Sequence, residues 1–116
     1  MKTLVVMAGL FVATMPAEQP APRAAQFMQA MNNSMKAMDR DMEAAPMNGN
    51  ADHDFASMMI PHHQGAIDMA KAELSYGKDP VMRRLAQEIL VDQQSEIDAM
   101  HLWLSKSAGV AAKREK

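Results

Sequence analysis

The chain has 116 residues, with 12 Lys and Arg against 14 Asp and Glu, no cysteine and 14 methionines. That length holds one domain with a modest core, and a net charge of −2 with both signs interspersed argues against a nucleic-acid partner. Without cysteine a disulfide frame, a zinc-thiolate site and a thiol nucleophile are all excluded, so any soft ligand must be a methionine sulfur.

Residues 1–17 open with Lys2 and continue as an apolar run from Leu4 to Met15. A core of that length is too short to span a bilayer and reads as a secretory signal, which predicts a periplasmic or secreted protein with no stable membrane insertion after signal removal. Residues 18–22 carry Pro20 and Pro22 and read as a linker to a helical domain over 23–106.

From 23 to 45 the sequence favours helix, and Met28, Met31, Met35, Met38 and Met42 follow intervals of 3, 4, 3 and 4, one stripe of a helix. A plain core seam has the same spacing. Here, however, the only apolar residues between 23 and 47 are Ala, Met and Phe27, and leucine would specify packing better than methionine. The stripe therefore reads as core and as a reserve of thioether ligands.

Pro46, Asn48, Gly49 and Asn50 end that helix. A second is expected over 53–76, capped by Asp52 or Asp54 and stopped by Gly77, with Pro61 producing either a kink or a restart beside His62. Asp79 then caps a third helix, with Pro80 in its first position, over 80–106, leaving 107–116 as a flexible tail. The fold class is thus all-α, an antiparallel bundle of three main helices.

The turn between the second and third helices is so short that residues whose numbers sum to about 157 should lie level. Met59 then faces Met100, Met69 faces Ile89, His62 faces Glu96, and His63 faces Gln93 or Gln94. The polar interruption of the third helix, Gln93 and Glu96, falls opposite the histidine pair. Two imidazoles and several thioethers in an apolar seam suit a late transition metal: thioethers select Cu(I) or Ag(I), and imidazole also accepts Cu(II). The candidate ligands are Met59, His62, His63, Met69 and Met100, with Met58, His101 and the five stripe methionines in reserve. Gln93 and Glu96 would hold the imidazole N–H groups. His53, between two aspartates at a helix start, reads as solvated. His101 lies three residues after Asp98, half of a di-iron carboxylate pattern whose other motifs are missing.

Asp54-Phe55, Met59-Ile60-Pro61-His62-His63, Ala66, Met69-Ala70, Asp79-Pro80, Gln93, Glu96-Ile97, Met100 and Trp103-Leu104 together resemble the domain-of-unknown-function 305 family over about residues 52–105. That resemblance implies a ferritin-like helical bundle, usually exported, some of whose members bind copper or silver and contribute to metal tolerance. By matching position, the family's pattern falls on Met59, His62, His63, Met69 and Met100, while the helix over 23–45 lies outside the firm match. The expected function is an exported, non-enzymatic carrier of Cu(I), with another copper carrier or exporter as partner. A metal-free adaptor with a Met-rich surface is the alternative class, and a di-iron oxidase a third. A homodimer would cover the side that three helices leave open.

Overall fold

The computed structural model describes residues 22–114, so the expected signal, nearly all of the linker and the last two residues lie outside the described residues. The chain forms three helices and no strand among the described residues: α1 (Pro22–Glu43), α2 (Ala51–Tyr76) and α3 (Pro80–Arg114). None of them is long and apolar enough to cross a membrane.

The helix ends follow local chemistry, with several differences from expectation. α2 starts at Ala51, and its cap is Asn50, whose side chain accepts from the N–H groups of Asp52 and His53 at 3.1 Å each. Gly49, at φ 85°, turns the chain so that Asn50 can do this. Asp54 ties down the turn instead, its carboxylate accepting from the N–H groups of Asn48 at 2.8 Å and Gly49 at 3.0 Å. Those backbone bonds, Asn48 first, and the bond from His53 hold its pKa below the usual carboxylate value. His53 is half-buried on Asp54 at 3.0 Å rather than solvated.

α2 continues through Pro61 without a restart. Proline removes the N–H that the Ser57 carbonyl would accept, and the Ser57 hydroxyl is itself buried without a partner. Gly77 ends α2 in an extended conformation, φ −69° and ψ 154°, not the left-handed one typical of a glycine stop. Arginines of the neighbouring helices serve the last carbonyls instead. Arg83 donates to Leu74 at 2.6 Å and Gly77 at 3.1 Å, and Arg23 donates to Ser75 at 3.1 Å and Tyr76 at 3.2 Å. Asp79 caps α3 as expected, accepting from the N–H groups of Val81 and Met82 at 2.9 Å each. α3 runs eight residues past its expected end at Lys106. Alanines at 108, 111 and 112 favour helix, and Lys113 and Arg114 complement its C-terminal dipole.

α2 lies between the other two helices and antiparallel to both. On one side Phe27 stacks edge-on against Tyr76 at 6.4 Å, and Met38 packs on Gly65. A Cβ at Gly65 would stand 2.7 to 2.9 Å from the Cβ, Cγ and Sδ of Met38, so glycine is what lets α1 approach this closely. On the other side α3 packs on Ala56, His63 and Ala70. Among the described residues no Cα of α1 comes within 8 Å of one in α3. The bundle is therefore open, a single layer of three helices, and among the described residues its buried apolar side chains are four alanines and two isoleucines.

Candidate metal centre

At about 100° per residue, the positions of α2 that touch α1 and those that touch α3 lie on nearly opposite sides, leaving two free stripes. One carries Phe55, Met59, His62, Ala66, Met69 and Glu73; the other carries His53, Ser57, Gln64, Asp68, Lys71 and Ser75. Most of the second stripe is satisfied within its own helix: Gln64 donates to Asp68, Lys71 pairs with Asp68, and the Ser75 hydroxyl donates to the Lys71 carbonyl, while the buried Ser57 hydroxyl has no partner. The first stripe has no such bonds.

The grooves flanking the first stripe bring in the neighbouring helices. Met58 meets Met42 in the α1 groove, Met69 meets Met82, Leu85 and Ile89 in the α3 groove, and Phe55 meets Met100 and Trp103 nearer the other end. Met42, Met35 and Met28 recur every seven residues, so they share one side of α1. Met28 is 54% and Met35 41% exposed, whereas Met31, Met38 and Met42 are half-buried toward α2. The α1 stripe is thus rotated part-way out of the seam, and methionines of all three helices share one open face.

The histidines divide the work. The His63 side chain is 12% exposed, and its Nε2 lies 2.5 Å from the Glu96 carboxylate. An ionised carboxylate only accepts, so Nε2 carries the proton and Nδ1 of the neutral ring keeps its lone pair. That Nδ1 is buried with no hydrogen-bond partner. Leaving such an atom unpaired costs about 1 to 3 kcal/mol. The His62 ring is 5.9 Å away between centroids, on an exposed residue.

The expected register sets Glu96 against His62. Glu96 pairs with His63 instead, because one residue along a helix is a 100° rotation and His63 is the one turned to α3. Gln93 is half-buried nearby without a bond to either ring. Of the five leading candidate ligands, Met59, His62 and His63 lie within about one turn of α2, and Met100 lines the groove beside Ala56. Met69 stands apart: ten residues beyond Met59 on one helix, about 15 Å away, it cannot share an ion with Met59 of its own chain. His101 is exposed, and Asp98 accepts a bond from Gln94 at 3.0 Å. Among the described residues no three His, Asp or Glu side chains converge on a cation position, so the di-iron pattern has no cluster behind it. The donor types gathered here, two imidazoles and neutral sulfurs, are those that a soft ion takes.

The sequence is 42% identical over 50 residues to an uncharacterised protein, L153, of Acanthamoeba polyphaga mimivirus, across 43% of this chain and 33% of that protein. The match spans a third of the length of that relative. A family model described as a domain of unknown function, DUF305, matches residues 4–104, reaching back through all of α1, which the residue-by-residue resemblance leaves outside. The chain belongs to that family.

Proposed function

We propose that this protein holds or passes Cu(I), with Ag(I) or Cu(II) as further cargo, through methionine and histidine on the open face of the helical layer and in the adjoining α2–α3 seam, and so contributes to metal tolerance or homeostasis. The observation that carries the reading is His63: Glu96 fixes the tautomer, and the buried Nδ1 lone pair has no other partner. Met59 and His62 lie beside it, and Met100 is the sulfur that α3 would add. Thioethers and neutral imidazoles select a soft ion and place no net charge on it. Holding copper without cysteine suits an oxidising compartment, where thiols are lost to disulfides. Export to the periplasm or beyond rests on the character of residues 1–17, and a copper carrier or exporter is the proposed exchange partner. The protein has the role of a carrier and not of an enzyme.

An anaerobic Cu(I) titration against a coloured chelator tests this, run beside a Met59→Leu, His62→Ala, Met100→Leu variant. The wild type is expected to take copper from the chelator and the folded variant to lose at least one equivalent. If both stay folded and neither competes, the copper reading fails. A second reading, a metal-free adaptor, is favoured by the exposure of Met28, Met35 and Phe55. Replacing the α1 methionines with leucine would leave an adaptor's partner binding largely intact.

A further inference from the structure

The open face has the size and pattern of an interface between two copies of this chain. The helices of the layer lie about 9 Å apart and run alongside one another for about 33 Å, so they present on the order of 900 Å² per copy. A stable interface takes about 800 Å² per partner. Phe55, at 63% exposed, projects from this face, and among the described residues the buried apolar core beneath it is four alanines and two isoleucines.

The α2 stripe is also self-complementary. Its residues, Phe55, Met59, His62, Ala66, Met69 and Glu73, follow intervals of 4, 3, 4, 3 and 4 about a centre near residue 64, and the midpoint of α2 falls between residues 63 and 64. A two-fold axis crossing α2 there sets the helix antiparallel to its copy, with level residues summing to 128. Met59 then meets Met69 of the second copy, bulky His62 meets small Ala66, and Phe55 meets Glu73. Glu73, the one carboxylate of the stripe, does not face itself, so along the stripe the pairing sets no like charges together.

We propose that a second copy of this chain docks on the open face about this axis, so that Met69 of each copy joins Met59 and His62 of the other. The shared ligand set rests on the copper reading; the docking does not. It also gives Met69 a place, since a span of about 15 Å keeps it from the Met59 site of its own chain.

The test uses cysteines in the metal-free, full-length protein. Across one chain, residues 59 and 69 are too far apart for a disulfide, whose Cα atoms must lie within about 7 Å. Sedimentation of the metal-free wild type is expected to give a dimer, and mild oxidation of a Met59→Cys, Met69→Cys variant to give mostly covalent dimer. The two single variants are expected to give at least tenfold less, because each residue is set about 15 Å from its own copy. A wild type that sediments as a monomer, with no cross-linking of the double variant, overturns the proposal, including the case in which residues 1–21 of the same chain cover the face. Single variants that cross-link as well as the double one overturn the register.

The shared site is read separately by mixing Met59→Leu, His62→Ala chains with Met69→Leu chains. One intact site per mixed dimer is expected to regain Cu(I) binding. Mixed dimers that regain none overturn the sharing of ligands, while a wild type that binds no copper yet still cross-links overturns only the copper reading.

Discussion

The two free stripes of α2 belong to one helix with the same neighbours, yet they differ in how their polar atoms are satisfied. Gln64, Asp68, Lys71 and Ser75 find partners within a turn of their own helix, as solvated helix faces do. On the opposite stripe Met59, His62 and Met69 have no such partners, and beside them one nitrogen of His63 is buried with none. A helix can satisfy its own amides and carboxylates, but it cannot use the lone pairs of its thioethers. The buried Ser57 hydroxyl is the exception on the polar stripe, whereas the opposite stripe carries sulfur and imidazole donors that make no bond within the helix.

The largest break in that comparison comes from exchanging donors on each stripe. Met59→Leu with His62→Ala is expected to remove at least one Cu(I) equivalent in chelator competition, and Gln64→Ala with Asp68→Ala to remove none. A polar-face variant that loses as much copper would erase the distinction.

Glu96→Gln tests the support beneath the face. The amide still accepts from Nε2 but no longer favours one tautomer so strongly, and copper affinity should fall about 10- to 100-fold with the helical content unchanged. An unchanged affinity would mean that His63 is not a ligand.

Gly65→Ala probes the seam that brings the methionines of α1 to the same side. The added methyl meets the base of the Met38 side chain, so α1 must shift, and a loss of about 1 to 3 kcal/mol is expected in urea unfolding despite the better helix propensity of alanine. Gly109→Ala, in open space on α3, is expected to stabilise by up to about 1 kcal/mol. Similar effects at the two sites would show that α1 does not pack as closely as the Met38 contact requires.

Asp54→Asn should have the smallest effect, read in acid. Because the folded carboxyl sits below its ordinary value, the stability it contributes is present above the unfolded pKa, near 4, and is lost as pH falls through the folded value. The variant should therefore show a shallower fall in thermal midpoint over that acid range. An identical pH profile would mean that the Asn48 and Gly49 bonds add nothing.

Much of this is legible in the residues, for reasons that also explain what is not. The α2–α3 register can be read because Gly77 to Pro80 leaves no slack, and the observed pairs, Arg83 with the Leu74 carbonyl and Glu96 with His63, fall within two residues of the expected sum. Within that tolerance the identity of the paired histidine is undetermined, since each residue turns the side chain by about 100°. The methionine spacing of α1 identifies a stripe but not its rotation about the helix axis, which Met38 sets by entering the notch at Gly65. Asp52 and Asp54, the expected caps, and Asn50, the observed one, are all good capping residues, and local propensity does not choose among them; the turn at Gly49 does. The expected end of α3 at Lys106 is overridden by the helix-favouring alanines beyond it.

The proposed copper centre is read at the metal itself by X-ray absorption at the copper edge, on protein loaded anaerobically with one equivalent of Cu(I). A first coordination shell of sulfur and nitrogen together is expected, with the nitrogen contribution reduced in His62→Ala and the sulfur contribution reduced in Met59→Leu. A shell of oxygen and nitrogen alone, unaltered by either substitution, would contradict a site built from methionine and histidine on the open face.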